Sequence, residues 1–471
     1  MNNKLLTIDD CDELSNEELK EIYRRHISPS LIEVLDSFSF ADETITSAEG
    51  VWLTTKSGNK ILDVSGGGGV LNLGHNPPSV LARRIRFQEE KQPEVCKLFL
   101  NRYTAALAHN ISCLMPGNLN YTHYCNSGAE AVEGSLKMAF KYHDAKRDMV
   151  LHSDIAFHGK LLASGSLRAK AKKEFSFQEV LNHDTFVYGD LDSLTEKVKE
   201  YRGRIYAIIV EPFSASLIRW LSREYLQELR NICDQNEIIL IFDEIYTGWY
   251  KTGPMMSFMS SGVVPDAVTI SKSLGAGKAT ISAFVASDKL TQKAYGKTKD
   301  AFLHSTTYFG YPEECLTALE ALALFQDPAI HGRAGIIERI SQERLRRLKE
   351  KFPDAIEEFR GRGTLHGIIF RNNASFFEKV LSLLPGNLPV GEKFFEKLII
   401  ASVTERLFIK HRIHCIFTTF GLACLQFAPP LVIQDREIHQ FFDALEDVLA
   451  EGIPNLVLEF TKKKLMKKLS I

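Results

Sequence analysis

"IILIFDEIYTGWYKTG", residues 238–253, runs five apolar residues straight into two carboxylates, Asp243 and Glu244. An unbroken run of this kind reads as a strand covered on both faces. Burying an unpaired carboxylate is costly, so a cation should wait at the end of the strand. Similar runs lie on either side: "DMVLHS", "IYAIIVEPF", "AVTISK" and "SAFVAS", separated by amphipathic stretches. Apolar runs alternating with helices predict an α/β fold with a large, mostly parallel sheet over residues 120–290. Ligands of such sheets bind beyond the carboxyl ends of the strands, where Asp243 and Lys272 both fall.

Outside this region, "SNEE" has the form of a capping box and predicts a helix opening at Ser15. "GVWLTTKSGNKILDV" predicts a hairpin turning at Ser57-Gly58-Asn59. The glycine-rich "SGGGGVLNLGHNPP" is interleaved with apolar residues, which suggests close backbone packing at a ligand or subunit contact. After residue 325 the helices lengthen, as in "IIERISQERLRRLKEKF", and a smaller α/β lobe is expected.

At 471 residues the chain exceeds one ordinary core. We expect an N-terminal segment, 1–95, serving the small lobe and subunit contacts, a large lobe over 96–325, and a C-terminal lobe over 326–471. A net charge of -2 makes no case for nucleic acid or an anionic membrane as partner. Eight scattered cysteines with no CxxC pair suggest reduced thiols, and with no apolar span the expected location is cytoplasmic. "KHRIHC" offers two histidines without a third ligand, so no metal site is expected.

Three segments carry chemistry. In "YCNSGAEAVEGSLKMAF" a helix opens just after Asn126-Ser127-Gly128. Its free N–H groups can cradle an anion, or Ser127 can be an ordinary N-cap. In "PDAVTISKSLGAGK" Lys272 ends an apolar run and can serve as a desolvated amine nucleophile, with Lys278 as a less rigid competitor. Asp243 supplies a buried carboxylate. An anion cradle, a carboxylate and an amine on one sheet are what pyridoxal phosphate needs: a phosphate anchor, a partner for the pyridinium nitrogen and a Schiff-base lysine. The cation for Asp243 is then the ring nitrogen.

The combined motifs resemble the class III (omega) aminotransferases of the fold type I pyridoxal phosphate enzymes, and are most similar to their putrescine and ornithine branch. The likeness runs from about residue 45 to 445. It implies that "CNSGAEAVEGSLKMA" holds the cofactor phosphate through Ser127, Gly128 and Ala129, and that "AFHGK" stacks Phe157 on the ring with His158 beside it. It puts Glu211 of "VEP" near the site, Asp243 on the ring nitrogen and Tyr246 beside the phenolic oxygen, and makes Lys272 the Schiff-base lysine. "HSTTYFGYP" resembles the segment through which a partner subunit lends a threonine, here Thr307, to the phosphate. That implies a homodimer with shared sites.

Three positions depart from the family pattern. Ser216 of "EPFSASLIRW" stands where the family has Glu, and Gln426 of "LQFAPPL" where it has a carboxylate-binding Arg. Tyr246 replaces Gln. The Glu and Arg pair with each other in the family, so losing both avoids a lone buried charge. Arg219, beside Trp220, is a candidate for replacement charge toward a substrate acid. The implied activity is transfer of an amino group from a primary amine or ω-amino donor, free or tethered to a carrier protein, to an oxo acceptor. The neutral Gln426 and Ser216 keep open a decarboxylase, racemase, lyase or condensing enzyme, and a silent scaffold is the third reading.

Overall fold

Our computed structural model describes residues 5–95, 97–168, 180–372, 394–418 and 421–469. Ser15 caps the helix Asn16–His26 as the sequence predicts, accepting from the Glu18 N–H while Glu18 accepts from the Ser15 N–H. Strands β1 (Ile45–Glu49), β2 (Trp52–Thr55) and β3 (Lys60–Asp63) form an antiparallel meander. The β2–β3 turn is the expected Ser57-Gly58-Asn59, with Gly58 at φ +86°. The glycine run after β3 holds Gly66 to Gly69 at positive φ throughout, a conformation cheap only for glycine. Packing reinforces the requirement. A Cβ on Gly66 would sit 2.7 Å from the Ala428 carbonyl oxygen, and one on Gly69 3.0 Å from the Tyr246 ring.

The apolar runs become one seven-stranded sheet. In chain order its strands are β4 (Leu119–Cys125), β5 (Met149–Ser153), β6 (Asn182–Phe186), β7 (Ile205–Val210), β10 (Ile239–Asp243), β11 (Ala267–Ile270) and β12 (Ser282–Ser287). A two-stranded hairpin, β8 (Phe213–Ser214) and β9 (Arg219–Trp220), follows β7. The spatial order is β4-β12-β11-β10-β7-β5-β6, with β12 alone running against the rest. Alternate residues of each strand feed opposite cores. Ile208, Leu240, Phe242 and Val268 pack with Leu226 and Leu229 of the helix Arg223–Gln235. Ala207, Ile209, Ile241 and Ala267 pack with Val132 and Leu136 of the helix Gly128–Tyr142. Helices on both faces are why these strands read as continuous apolar runs rather than alternating ones.

The later part of the chain forms β13 (Ile356–Arg362), β14 (Leu365–Phe370), β15 (Ile413–His414), β16 (Ile416–Thr418) and β17 (Cys424–Phe427). Four of them make a sheet in the order β13-β14-β17-β16, and β15 instead lies parallel to β3. Residues from both ends of the sequence thus share the first sheet. His411 of "KHRIHC" pairs with Asp447, and His414 lies on β15 opposite Asp63. Among the described residues no helix is long and apolar enough to cross a membrane.

Candidate active site

Strands β10 and β11 are parallel neighbours with Asp243 opposite Thr269. The chain leaves β11 through Ser271 and sets Lys272 in the left-handed region, φ +46°. A non-glycine residue there carries strain that the surrounding structure must hold. Asp243 and Lys272 both line a cavity of about 450 Å³ at the carboxyl ends of the strands. Lys278, the competing lysine, does not line it.

The adjacent carboxylates part company here. Asp243 is 5% exposed. Its Oδ1 accepts from the Ile245 N–H (3.0 Å) and the Thr269 hydroxyl (3.1 Å), and its Oδ2 lies 2.7 Å from His158 Nδ1. Glu244 has other partners and meets no cation among the described residues. Its oxygens accept from the Ser257 hydroxyl (2.6 Å), the Phe258 N–H (2.8 Å) and the Thr247 hydroxyl. Burial pushes its carboxyl above the usual range, against those hydrogen bonds. Glu244 therefore ties down the 247–258 loop, and the cation expected at the strand end concerns Asp243 alone.

Lys272 Nζ stands 4.0 Å from the centroid of the Tyr246 ring, within cation–π range. Burial lowers its amine to about 8, while Asp243 and Glu211 pull in the opposite direction. Desolvation likewise drives Glu211 up to about 7, with His158 opposing and Asp243 adding to the rise. Glu211 accepts from the Ala215 N–H at 3.4 Å. Ala215 also ties in Gln426, whose Nε2 donates to the Ala215 carbonyl at 3.3 Å. Gln426, Ser216 and Thr418 complete this wall, and among the described residues no arginine lines the cavity.

Gly128 and Ala129 open the helix Gly128–Tyr142 at the cavity edge. Ser127 is the N-cap of that helix, its hydroxyl accepting from the Glu130 N–H at 3.3 Å. Phe157 and His158 also line the cavity. Arg219 and Thr307 do not: Arg219 belongs to a separate cleft, and Thr307 to a hollow with Phe99, Leu100 and Tyr311. Sequence reasoning missed Thr269, Ala215, Ile245, Ser271 and Thr418. Thr269 alone had a signal, as a hydroxyl in the run preceding Lys272.

The residues present fit pyridoxal phosphate. His158 Nε2, Glu211 Oε2 and the Tyr246 hydroxyl are buried polar atoms without a partner among the described residues, all on residues of this one cavity. Orphaned buried groups are rare in a native fold unless something absent from the protein satisfies them. A helix N-terminus at the cavity edge suits a phosphate, and a buried amine faces the same space.

Comparison with known proteins agrees. The family model for class III aminotransferases matches residues 39–449. The chain belongs to the class III aminotransferases. It is 31% identical over 389 residues to a putrescine aminotransferase of Pectobacterium atrosepticum, covering 80% of this chain and 82% of the relative. Among solved structures, a transaminase from the marine bacterium Virgibacillus superposes with a TM-score of 0.80 at 18% identity, over 93% of this chain and 99% of that one. An ornithine aminotransferase from Toxoplasma gondii gives 0.75 at 22%, over 95% and 99%. These structural likenesses share the fold type I architecture of the seven-stranded sheet. The aminotransferase is accordingly a pyridoxal phosphate-dependent transferase.

Proposed function

We propose that this aminotransferase takes its amino group from a primary amine or ω-amino donor, a diamine included, and passes it to an oxo acceptor. The observation that carries the reading is the opening of Asp243, at the end of β10, and Lys272, just past the end of β11, into one cavity whose substrate wall is neutral. The likeness to a putrescine aminotransferase supports the donor class.

When bound, pyridoxal phosphate supplies the carbonyl carbon that exchanges amino groups and a ring that withdraws electrons from it. Lys272 would hold the cofactor through its amine and, when that amine is free, would carry the proton that leaves the donor carbon. Its lowered affinity for protons leaves an appreciable share of the amine neutral near pH 8. Asp243, oriented by Thr269, the Ile245 N–H and His158, would keep a proton at the ring nitrogen. The Tyr246 hydroxyl would serve the phenolic oxygen, Phe157 would stack on the ring, and Gly128, Ala129 and Ser127 would hold the phosphate.

Thr307 acts in the partner's site of a homodimer. In support, it lies outside its own chain's Lys272 cavity, in a hollow with the exposed Phe99 and Leu100. A cytoplasmic location is consistent with free thiols at the described cysteines. The lobes divide near residues 95 and 325, a reading supported by the pairing of β15 with β3.

The test is a half-reaction. Mixed with a diamine and no acceptor, the holoenzyme should lose the absorbance of its bound cofactor and release pyridoxamine phosphate on denaturation, and an oxo acid or aldehyde should restore the spectrum. An unchanged spectrum with every amine of a panel would overturn the reading.

A further inference from the structure

A second cleft, of about 730 Å³, opens between the hairpin β8–β9, the start of the helix Arg223–Gln235 and β13. It shares no lining residue with the Lys272 cavity. We propose that this cleft is a second ligand site, which takes a small anion carried on a flat ring.

Charge comes first. Glu358 is engaged twice by Arg360, at 2.7 and 2.8 Å, and the remaining Arg360 nitrogen donates to the Leu217 carbonyl. That leaves Arg219, on the cleft wall, and Arg362, beside it, whose guanidinium groups have no ion-pair or hydrogen-bond partner among the described residues. Two unpaired guanidinium groups and a neutralised carboxylate give the cleft a net positive character, and the planar donor fork of arginine matches carboxylate or phosphate oxygens.

The second feature is aromatic. Trp220 lies in the cleft, 48% exposed. Phe213 stacks on its ring at 6.2 Å, and the Arg362 guanidinium lies 5.8 Å from the ring centroid. An exposed indole supported in this way offers a platform for a flat ligand beside the charges that would hold its anionic group. Third, Tyr225 is 5% exposed, lines the cleft, and has a buried hydroxyl without a partner among the described residues.

The cleft is mechanically close to the reaction. Ser216 lines the Lys272 cavity and Arg219 the cleft, with only Leu217 and Ile218 between them. Ile218 sits at φ +49°, an outlier for a β-branched residue. The Tyr188 hydroxyl clamps both sides of this turn, at 3.1 Å from the Glu211 carbonyl oxygen and 3.0 Å from that of Arg219. A ligand that shifts Arg219 therefore pulls on the segment carrying Ser216. This inference is independent of the amine-donor reading.

Trp220 provides the readout. Of the chain's three tryptophans, Trp249 is 1% exposed, and neither it nor Trp52 lines the cleft. Tryptophan fluorescence of the holoenzyme is titrated with benzoate, adenosine monophosphate and inorganic phosphate. We expect saturable quenching by an aromatic anion at up to millimolar concentration, absent in Trp220→Phe, with inorganic phosphate binding more weakly. The stronger of the two aromatic ligands tells a carboxylate from a phosphate preference. Arg219→Gln should weaken binding on the order of tenfold, the loss of one charged hydrogen bond. Arg362→Gln should weaken it too, with circular dichroism and cofactor absorbance reporting folding for both variants. Quenching that stays linear, or that neither arginine substitution alters, overturns the proposal.

Discussion

The two walls of the Lys272 cavity are built on different terms. On one wall every charged group has an assigned neighbour: Asp243 is held by Thr269, a backbone N–H and His158, and Lys272 lies over the Tyr246 ring. The other wall, Ala215, Ser216, Thr418 and Gln426, is neutral, and Gln426 donates to the Ala215 carbonyl. In the function proposed above, the first wall would carry the chemistry and the second would choose which molecules undergo it. A neutral wall cannot offer the bidentate cation that a substrate carboxylate prefers.

Substitutions on the first wall should do the most damage. Lys272→Ala removes the proposed anchor and proton carrier, and we expect amino transfer to fall by at least about 10⁴-fold, with no borohydride-stable cofactor adduct detectable by mass spectrometry. Asp243→Asn should cost about 10²–10³-fold in kcat, the size of other losses of a preorganised charge, with the enzyme still folded and cofactor still bound.

The second wall should respond in stability before activity. Gln426→Arg alone puts a lone charge where the side chain is 4% exposed. It should destabilise the protein by about 3–5 kcal/mol in urea unfolding, and Ser216→Glu added to it should recover much of that loss. If the single variant is as stable as the parent, the two positions are not a replaced pair.

Glu211 stands where the walls join. Its carboxyl is driven up to about 7 from 4.5, so folding favours its protonated form. Stability from this group is present below about pH 4.5 and is lost as the pH climbs to about 7. Glu211→Gln should therefore stabilise the cofactor-free protein at pH 8 by roughly 3 kcal/mol and change little near pH 4. Equal effects at both pH values would show the carboxyl to be unperturbed.

Much of the first wall was legible in the sequence because its signals are local. A buried parallel strand reads as an apolar run, so β7, β10, β11 and β12 stood out, and Asp243 and Lys272 fell at their ends. Ser15, the Ser57-Gly58-Asn59 turn and the N-cap Ser127 were likewise readable, since caps and turns depend on neighbours a few residues away. The second wall was not. Thr418 reaches the cavity from a sheet formed far along the chain, and pairing between distant segments has no local signature. Arg219 looked close to Ser216, yet the strained turn at Ile218 sends the two into different cavities. The opening expectation of a cation for the strand end fails for Glu244, because successive side chains face opposite ways and Glu244 is met by hydroxyls and an N–H.

The neutral wall is tested most directly by a matched pair of donors, a diamine and the amino acid that differs from it only by an added carboxylate on the distal amine's carbon. We expect kcat/KM for the diamine to exceed that of the amino acid by about tenfold or more, the worth of one missing charged contact. An amino acid used equally well, or better, would mean that the cavity holds a carboxylate after all and would contradict this account of Gln426 and Ser216.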